Sequence, residues 1–388
     1  MARKTFTITD LDHDQHLREA AFGPNDVGGA SKTWSVKVRT LAGGLRDGVQ
    51  IVDASTGALR IVVVPTRGMA IWKFWWNGVE VGWQAPTQGP VHPKFVPLME
   101  PTGLGWIAGF DELLCRCGLE SNGAPEWDDR GRLLWPLHGR IANLPAHALS
   151  ITVDGDSGEI AIRGEVDETR LFSRKLRLTS TTIVKPGEPV VRVRDEVLNR
   201  SAEPGELELL YHVNFGKPIL DAGARLLVPA REVCPRDDRA AARAKEWDRY
   251  GTPEALRKEE VFYMELHADA QSRTRALLEA AGGASGASLG WDVRQLPCFT
   301  QWKNPQMAAD AYVTGLEPGT NYPNQRRFEK LRKRVVPLAS GATWQVDLDL
   351  EYHPDRAAVE RAARDVARIA GGRIAQLQTA TLPKYAPL

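Results

Sequence analysis

LSITVDGDSGEIAIRGEVDETRLFSRKLRLTSTTIV, residues 149–184, alternates apolar and polar side chains through short runs that are separated by turns. This period of two is typical of strands with one buried and one wet face, and it continues to residue 215. The predicted strands are Leu149–Val153, Ile160–Val166, Leu171–Leu178, Ile183–Val184, Val190–Leu198 and Leu207–Phe215. The stretch predicts an all-β fold, a large antiparallel β-sandwich.

The chain before this stretch divides near residue 35. Residues 1–35 are polar, allow a short helix over Asp12–Ala21, and are predicted to be an N-terminal extension. A β-meander follows, with strands at Val49–Val52, Leu59–Val64 and Met69–Phe74. Its last turn, Asn77-Gly78, is a pair that favours the positive φ angles of a type I′ hairpin turn.

The chain after residue 215 adds short helical insertions and more strands. Helices are predicted over Asp237–Tyr250 and Asp269–Ala281. The later strands are predicted at Ala287–Gly290, Cys298–Trp302, Tyr312–Leu316, Arg332–Pro337 and Thr343–Tyr352. A C-terminal helix begins after Asp355, which suits an N-cap, and is interrupted by Gly371-Gly372. The predicted domains are an extension (1–35), the β-sandwich (36–353) and a helical tail (354–388).

Composition excludes several classes of protein. The 388 residues carry 50 basic and 49 acidic side chains, so the net charge of +1 gives no electrostatic reason to expect nucleic acid or an anionic membrane as a partner. No apolar run approaches the roughly 20 residues that span a bilayer, and a cytoplasmic location is expected. The four cysteines lack the spacing of common zinc sites and are expected to be free thiols.

A long excursion rich in Pro, Gly and Trp lies between residues 84 and 135. A segment of this length without periodicity is commonly functional, and its aromatic residues argue against disorder. We therefore expect it to form site loops. Its pattern Gly103-x-Gly105-x-x-x-Gly109 is neither a dinucleotide fingerprint nor a P-loop.

Glu317 is the first candidate for chemistry. It follows the apolar run Tyr312–Leu316 and precedes Pro318-Gly319, which is expected to end the strand. A carboxylate at the mouth of a β-structure could act as a general base. It could equally be a turn carboxylate that caps backbone N–H groups, since loops carry both kinds of residue.

Two histidines favour the chemical alternative. Alternation in Leu209–Gly216 places Tyr211, Val213 and Phe215 on one face of a strand, with His212 and Asn214 on the other. A further histidine, His138, also lies beside a glycine. Two histidines and a carboxylate near strand ends suit acid/base chemistry, although a hydrogen-bonded structural histidine is the plain alternative for His212.

Short motifs spread over residues 40 to 352 carry a family resemblance. They are Pro65-Thr66-Arg67-Gly68-Met69, Leu137-His138-Gly139, Tyr211-His212-x-Asn214-Phe215, Gln301-Trp302-Lys303, and Leu316-Glu317-Pro318 with Pro323-Asn324. In order and spacing they resemble the galactose mutarotase-like superfamily, and most closely its aldose 1-epimerase-related, DUF4432-like bacterial branch. The segment Cys115–Pro125 departs from the Asn-Arg segment that galactose mutarotases have there.

The resemblance implies a β-sandwich with a sugar site in a cleft on one sheet. It implies that His212 is the general acid, Glu317 the general base and His138 a histidine that orients the sugar. Arg67 and Arg140 match more weakly, as hydroxyl-binding residues. From residue type and position, Asn122, Asn214 and Lys303 are further candidates for binding hydroxyls, and Trp106 and Trp302 for stacking on a pyranose.

Interconversion of sugar anomers needs one base and one acid, to deprotonate the anomeric hydroxyl and to protonate the ring oxygen. With ordinary pKa values, Glu317 is ionised and His212 partly protonated at neutral pH. The sequence thus predicts an aldose 1-epimerase (mutarotase)-like isomerase that takes a small-molecule sugar and needs no cofactor. Folding is expected to bring the two side chains to opposite sides of one sugar-sized hollow.

Several alternatives stay open from the sequence. The same scaffold could serve a lyase, isomerase or hydrolase acting on a modified sugar such as a keto-sugar, or a non-catalytic sugar-binding protein. The set His138, His212 and Glu317 could instead hold a divalent metal, although the prediction is that none is bound. Neither the sugar nor the oligomeric state is specified by the sequence, and a homodimer is one of the open states.

Overall fold

The computed structural model describes residues 2–387. Its 26 strands are, in chain order, β1 (Arg3–Asp10), β2 (Gln15–His16), β3 (Ala20–Phe22), β4 (Ser35–Thr40), β5 (Gln50–Ser55), β6 (Leu59–Val64), β7 (Ala70–Trp76), β8 (Val79–Val81), β9 (Leu114–Leu119), β10 (Glu126–Trp127), β11 (Leu133–Trp135), β12 (Ala148–Asp154), β13 (Ile160–Thr169), β14 (Lys175–Val184), β15 (Val190–Asn199), β16 (Gly205–Phe215), β17 (Arg225–Leu227), β18 (Ala230–Pro235), β19 (Glu260–Leu266), β20 (Arg273–Glu279), β21 (Gly286–Asp292), β22 (Cys298–Asn304), β23 (Val313–Gly319), β24 (Val336–Leu338), β25 (Thr343–His353) and β26 (Gln376–Leu377). The α-helices are α1 (Pro24–Val27), α2 (Asp238–Ala242), α3 (Arg326–Leu331) and α4 (Arg356–Ala370).

Two large sheets contain nearly all of these strands. The first sheet has ten strands in the order β17-β20-β21-β25-β15-β14-β13-β12-β1-β2. The second has fourteen, with β26-β18-β19-β22-β23-β16-β9-β7-β6-β5-β4-β3 as its main path, β24 beside β16 and β8 beside β7. Neighbouring strands are antiparallel except β18 and β26. The predicted all-β sandwich is confirmed.

The core lies between the two sheets, because each sheet turns its apolar alternate residues toward the other. Strands β13 to β15 of the first sheet bury every second side chain. Tyr211, Val213 and Phe215 of β16 join the same apolar cluster, as their alternation predicts. His212 and Asn214 therefore lie on the opposite face of the second sheet.

A buried ion pair crosses the core. Arg116 on β9 of the second sheet donates to both carboxylate oxygens of Asp195 on β15 of the first, and both side chains are completely buried. Arg116 also donates to the Ser180 hydroxyl at 2.8 Å, and the Tyr211 hydroxyl donates to Asp195 at 2.7 Å. The network fixes strand β16 and its neighbours against the first sheet.

Several sequence predictions are corrected by the strands. Residues 12–21 contain a 3-10 turn (Leu11–His13) and the strand β2, not an α-helix, and β1 pairs with β12 at the edge of the first sheet. Residues 269–281 contain β20, because their apolar side chains alternate into the core. The 237–250 insertion is helical only over α2 and a 3-10 turn at Ala244–Glu246. The division of the chain into three domains stays a prediction.

Other local predictions are confirmed. Asn77 and Gly78 have φ angles of 47° and 80° and join β7 to β8. The Asp355 carboxylate accepts the Ala358 N–H at 2.8 Å and begins α4, which ends at Gly371 in the left-handed conformation. All four cysteines are buried free thiols. Within residues 2–387, no helix has the length and apolar character needed to cross a bilayer.

Candidate active site

His212 and Glu317 are neighbours on the outer face of the second sheet. Strands β16 and β23 pair with Val213 opposite Leu316, which sets the two polar side chains beside each other on the other face. His212 Nε2 lies 3.2 Å from Glu317 Oε1. The structure thus brings together two residues that are about a hundred positions apart in the chain, side by side and not across a hollow.

Glu317 also differs from the sequence prediction in its surroundings. Strand β23 continues through Pro318 to Gly319, so Glu317 lies inside the strand, opposite Thr300 of β22, and not at its mouth. Its side chain is only 2% exposed and that of His212 only 5%. The carboxyl group is therefore desolvated and caps no turn.

A glycine makes room for the pair. Gly315 lies two residues before Glu317, on the same face of β23. A Cβ at this position would lie 2.7 Å from Glu317 Oε1 and 2.9 Å from His212 Cε1. A glycine inside a strand commonly marks a place where other groups approach the backbone closely. Gly315 is therefore a signal in the sequence for this site that was missed.

Asn214 fixes the orientation of His212. Its Nδ2 donates to the Glu112 carbonyl at 3.0 Å, which turns its Oδ1 toward His212 Nδ1 at 2.6 Å. Since Oδ1 can only accept, Nδ1 carries the hydrogen of the neutral imidazole. Nε2, on the side of Glu317, is then a lone-pair acceptor. Both polar atoms of the Asn214 side chain are engaged, which corrects its predicted role as a hydroxyl-binding residue.

Glu317 Oε1 lacks a hydrogen-bond donor among the described residues, despite its short distance to His212 Nε2. The two atoms are close, but their geometry is not that of a hydrogen bond. A buried acceptor without a donor costs free energy on the order of 1–3 kcal/mol. A ligand hydroxyl that donates to Oε1 would recover this cost.

Burial sets the protonation states of the pair. Burial, helped by the charge of Glu259 and opposed by that of Arg236, raises the pKa of Glu317 to about 8. Burial also lowers the pKa of His212 to about 3, helped by His138. Burial therefore favours the neutral form of both side chains. The sequence-based expectation, an ionised glutamate and a partly protonated histidine, assumed the solvated values.

Aromatic side chains surround His212. The ring centroids of Trp106, Phe110 and Trp302 lie 6.2, 5.0 and 5.6 Å from that of His212. Trp302 Nε1 donates to Glu259 at 2.7 Å, whereas the buried Trp106 Nε1 has no acceptor among the described residues. The predicted tryptophans Trp106 and Trp302 are both at the site. Phe110 and Glu259 were missed, because nothing in their local sequence marks them.

His138 lies at the rim of this aromatic group. Its ring is 5.4 Å from that of His212 and 4.7 Å from that of Trp106. Its Nδ1 donates to the Asn122 carbonyl at 2.9 Å, and burial lowers its pKa to about 4. The Asn122 side chain itself exchanges two hydrogen bonds with Asn321. Asn122 therefore orients His138 through its backbone, and its amide is not free to bind a hydroxyl, in contrast to the prediction.

Lys303 is outside the site, in contrast to the prediction. Residues 302 and 303 of β22 point to opposite faces, and the Lys303 ammonium donates to the carbonyls of Glu246 and Arg249 at 3.2 and 2.8 Å. Burial lowers its pKa to about 8. The side chain therefore holds the 244–250 turn on the other side of the sheet from Trp302.

The two predicted arginines have different surroundings from the acid/base pair. Arg67 is fully buried, donates to Glu112 at 2.5 Å and to Asn143 at 2.8 Å, and keeps only Nη2 without an acceptor. Arg140 contacts Met99 Sδ at 3.5 Å and lines a cavity of about 130 Å³ with Glu168. Neither contacts His212 or Glu317, and their predicted binding of hydroxyls stays a prediction.

Two cavities within the described residues are lined by neither His212 nor Glu317. The cavities of about 380 and 610 Å³ lie elsewhere in the molecule. Only the partly exposed Trp302 and His138 connect the aromatic group to solvent. No group of three or more His, Cys, Asp or Glu in residues 2–387 has an arrangement that could hold a metal ion.

The two sheets form a sandwich of the galactose mutarotase-like fold. Residues 46–352 match the family described as a domain of unknown function, DUF4432. The chain belongs to this family.

Solved structures agree with this assignment. A protein from Klebsiella pneumoniae, named as a candidate aldose 1-epimerase, is 33% identical over 98% of this chain and 99% of its own, with a TM-score of 0.95. A galactose mutarotase-like protein from Clostridium acetobutylicum is 15% identical over 82% and 98% of the two chains, with a TM-score of 0.57. A galactose 1-epimerase from Lactobacillus acidophilus is 12% identical over 82% and 98%, with a TM-score of 0.52. The last two share the fold alone, and no curated protein matches significantly.

Proposed function

We propose that this protein is an aldose 1-epimerase-like isomerase that interconverts the anomers of a small sugar through His212 and Glu317. The observation that carries the proposal is the 3.2 Å separation of His212 Nε2 and Glu317 Oε1 on one buried face. The ring oxygen and the hydroxyl oxygen of a hemiacetal are bonded to the same carbon. An acid and a base that serve both must therefore be close neighbours, as this pair is.

The protonation states decide which residue begins as the acid. With the proton on Glu317 and a lone pair on His212 Nε2, Glu317 protonates the ring oxygen while His212 takes the proton of the anomeric hydroxyl. The C1–O5 bond breaks and the open-chain aldehyde forms. After rotation about C1–C2, the aldehyde oxygen is protonated by His212 and the ring closes as Glu317 recovers its proton. These starting roles are the reverse of those that the resemblance implies.

The environment supports such a transfer. Before the proton transfers, both side chains are neutral; after them, the Glu317 carboxylate lies beside the His212 imidazolium. Neither state leaves an uncompensated charge in the desolvated site. The unpartnered Glu317 Oε1 and Trp106 Nε1 supply one acceptor and one donor for sugar oxygens. Trp302 is partly exposed, so its aromatic face is available to the ligand.

The pH dependence of the rate tests these roles. Because Glu317 must hold its proton, we expect kcat/KM to stay level at neutral pH and to fall as the pH rises through about 8. On the acid side we expect no loss until His212 is protonated, near pH 3. A bell-shaped profile with limbs near the ordinary values of about 4 and 6.5 would instead assign the base role to Glu317. Saturation-transfer NMR of anomer exchange measures the rate.

Removal of the Asn214 side chain tests the orientation of His212. Asn214→Ala deletes a hydrogen bond of about 1–2 kcal/mol, so kcat should fall about tenfold while KM changes little. Asn304→Ala is the matched control, because Asn304 binds the carbonyls of residues 310 and 311 and no site residue. Equal kcat values in the two variants would contradict the role given to Asn214.

A further inference from the structure

A cavity of about 610 Å³ lies apart from His212 and Glu317. It forms where the turn after β21, the end of α3, the strands β19, β22, β24 and β25, and the C-terminal segment meet. We name it the basic cavity. Its volume is within the range of about 300–1,000 Å³ that is typical of small-molecule sites.

Its floor is apolar and partly aromatic. The residues that share this character are Leu266, Val293, Pro297, Cys298, Tyr322, Val335, Val336, Pro337, Trp344 and Tyr385. Displacement of water from such a surface by an apolar or flat ligand lowers the free energy. The floor thus favours a ligand with an apolar body.

Its rim is cationic. Five basic residues line it, Arg231, Arg294, Lys333, Arg334 and Lys384, against one acid, Glu265. The whole chain carries a net charge of only +1, so this local excess is not a consequence of composition. Charge of one sign in a concave, partly apolar site attracts ligands of the opposite sign.

The cations are only partly neutralised by the protein. Arg294 pairs with Asp292 at 2.5 Å and Arg334 with Glu329 at 2.6 Å, Glu265 is shared between Arg231 and Lys384, and Lys384 also pairs with Glu232. Lys333 forms no ion pair with any residue in the described range. A guanidinium has five N–H donors, so a paired arginine can still donate to a ligand oxygen.

The basic cavity lacks groups for acid/base chemistry at neutral pH. No histidine of the described chain lines it. Burial raises the pKa of Cys298 well above its usual range, so its thiol stays protonated. Burial also raises the pKa of Glu265, but Arg231 and Lys384 outweigh it and keep the carboxylate ionised. The cavity is therefore suited to binding and not to catalysis.

We propose that the basic cavity is a second ligand site, for an organic anion with a flat apolar body. In this proposal the anionic group lies at Lys333, the rim cation without an ion pair in the described chain, and the apolar part contacts Trp344 and Val336. The site adjoins the candidate active site through β22, where Cys298 is two residues from Thr300, the residue opposite Glu317. The proposal does not depend on the function proposed for His212 and Glu317.

Fluorescence titration with 8-anilino-1-naphthalenesulfonate, an aromatic anion, tests the proposal on the full chain. We expect one site per molecule, weaker binding at high salt, and an increase in Kd of about fivefold in Lys333→Glu, because a cation is replaced by an anion near the sulfonate. Lys330→Glu is the matched control. Lys330 is exposed on α3, pairs with Glu206 and does not line the cavity.

Further measurements separate the contribution of charge to probe binding from that of apolar contact. They also distinguish binding in the basic cavity from binding at the candidate active site. The uncharged N-phenyl-1-naphthylamine should bind wild type and Lys333→Glu equally, whereas Trp344→Ala should weaken both probes. His212→Ala should leave both affinities unchanged. Equal Kd values of the anionic probe for wild type and Lys333→Glu would overturn the proposal, as would equal losses in Lys333→Glu and Lys330→Glu. If Trp344→Ala does not fold, the Lys333 comparison decides alone.

Discussion

Glu317→Gln is expected to lower kcat for anomer interconversion by a factor on the order of 10²–10⁴, the contribution of one positioned proton transfer. The amide keeps the size of the carboxyl group but cannot donate an acidic proton to the ring oxygen. KM should change little, because the aromatic contacts to the sugar remain. Saturation-transfer NMR and polarimetry over a panel of hexoses, pentoses and keto-sugars would measure the rates.

Glu360→Gln serves as the control for this change, since Glu360 lies exposed on α4. His212→Ala should reduce kcat to a similar extent. Because the two residues act as one unit, the double variant should be little worse than either single one. If Glu317→Gln keeps the full rate on every sugar that the wild type converts, the acid/base proposal is wrong. Full biological activity of that variant would favour a sugar-binding protein without catalysis.

Asp195→Ala is expected to lower the free energy of unfolding by about 3–5 kcal/mol, because it leaves the Arg116 guanidinium buried and uncompensated between the two sheets. The same change removes the acceptor of the Tyr211 hydroxyl. Urea unfolding followed by tryptophan fluorescence would measure the loss.

An exposed pair supplies the comparison for the buried one. Asp347 pairs with Arg194 at 2.8 Å, with side chains 47% and 35% exposed, so Asp347→Ala should cost no more than about 1 kcal/mol. Replacement of both buried partners, Arg116→Met with Asp195→Leu, should recover part of the loss, because no unpaired charge then remains. An Asp195→Ala protein as stable as Asp347→Ala would show that the crossing pair does not hold the sheets together.

The sequence predicted the sandwich because strands with one buried face impose a period of two that can be read locally. The alternation from 149 to 184 predicted three of the ten strands of the first sheet, β12 to β14, and the alternation around His212 predicted the correct face for both His212 and Asn214. Prediction was poorer where a polar surface hides the pattern. Strand β1 (Arg3–Asp10) buries only two of its eight side chains, and residues 171–184 were divided into two strands where the structure has the single strand β14.

The site was predicted in part. Residue type and neighbouring glycines selected His212, Glu317 and His138, and Trp106 and Trp302 lie beside them. Lys303 was misassigned because its strand neighbour Trp302 faces the site and side chains alternate along a strand. Asn122 and Asn214 are at the site, but their amides are already bonded, and such pairing is a property of the packed structure.

The sequence by itself determined the fold class, the faces of the strands and the residue types available for proton transfer, because these depend on local periodicity and on chemistry. Only the tertiary structure decided the register that sets His212 beside Glu317, the tautomer fixed through Asn214, and the burial that raises the pKa of Glu317. The reason is that register and desolvation depend on groups distant in the chain. The pKa of a buried group therefore cannot be predicted from the type of residue alone.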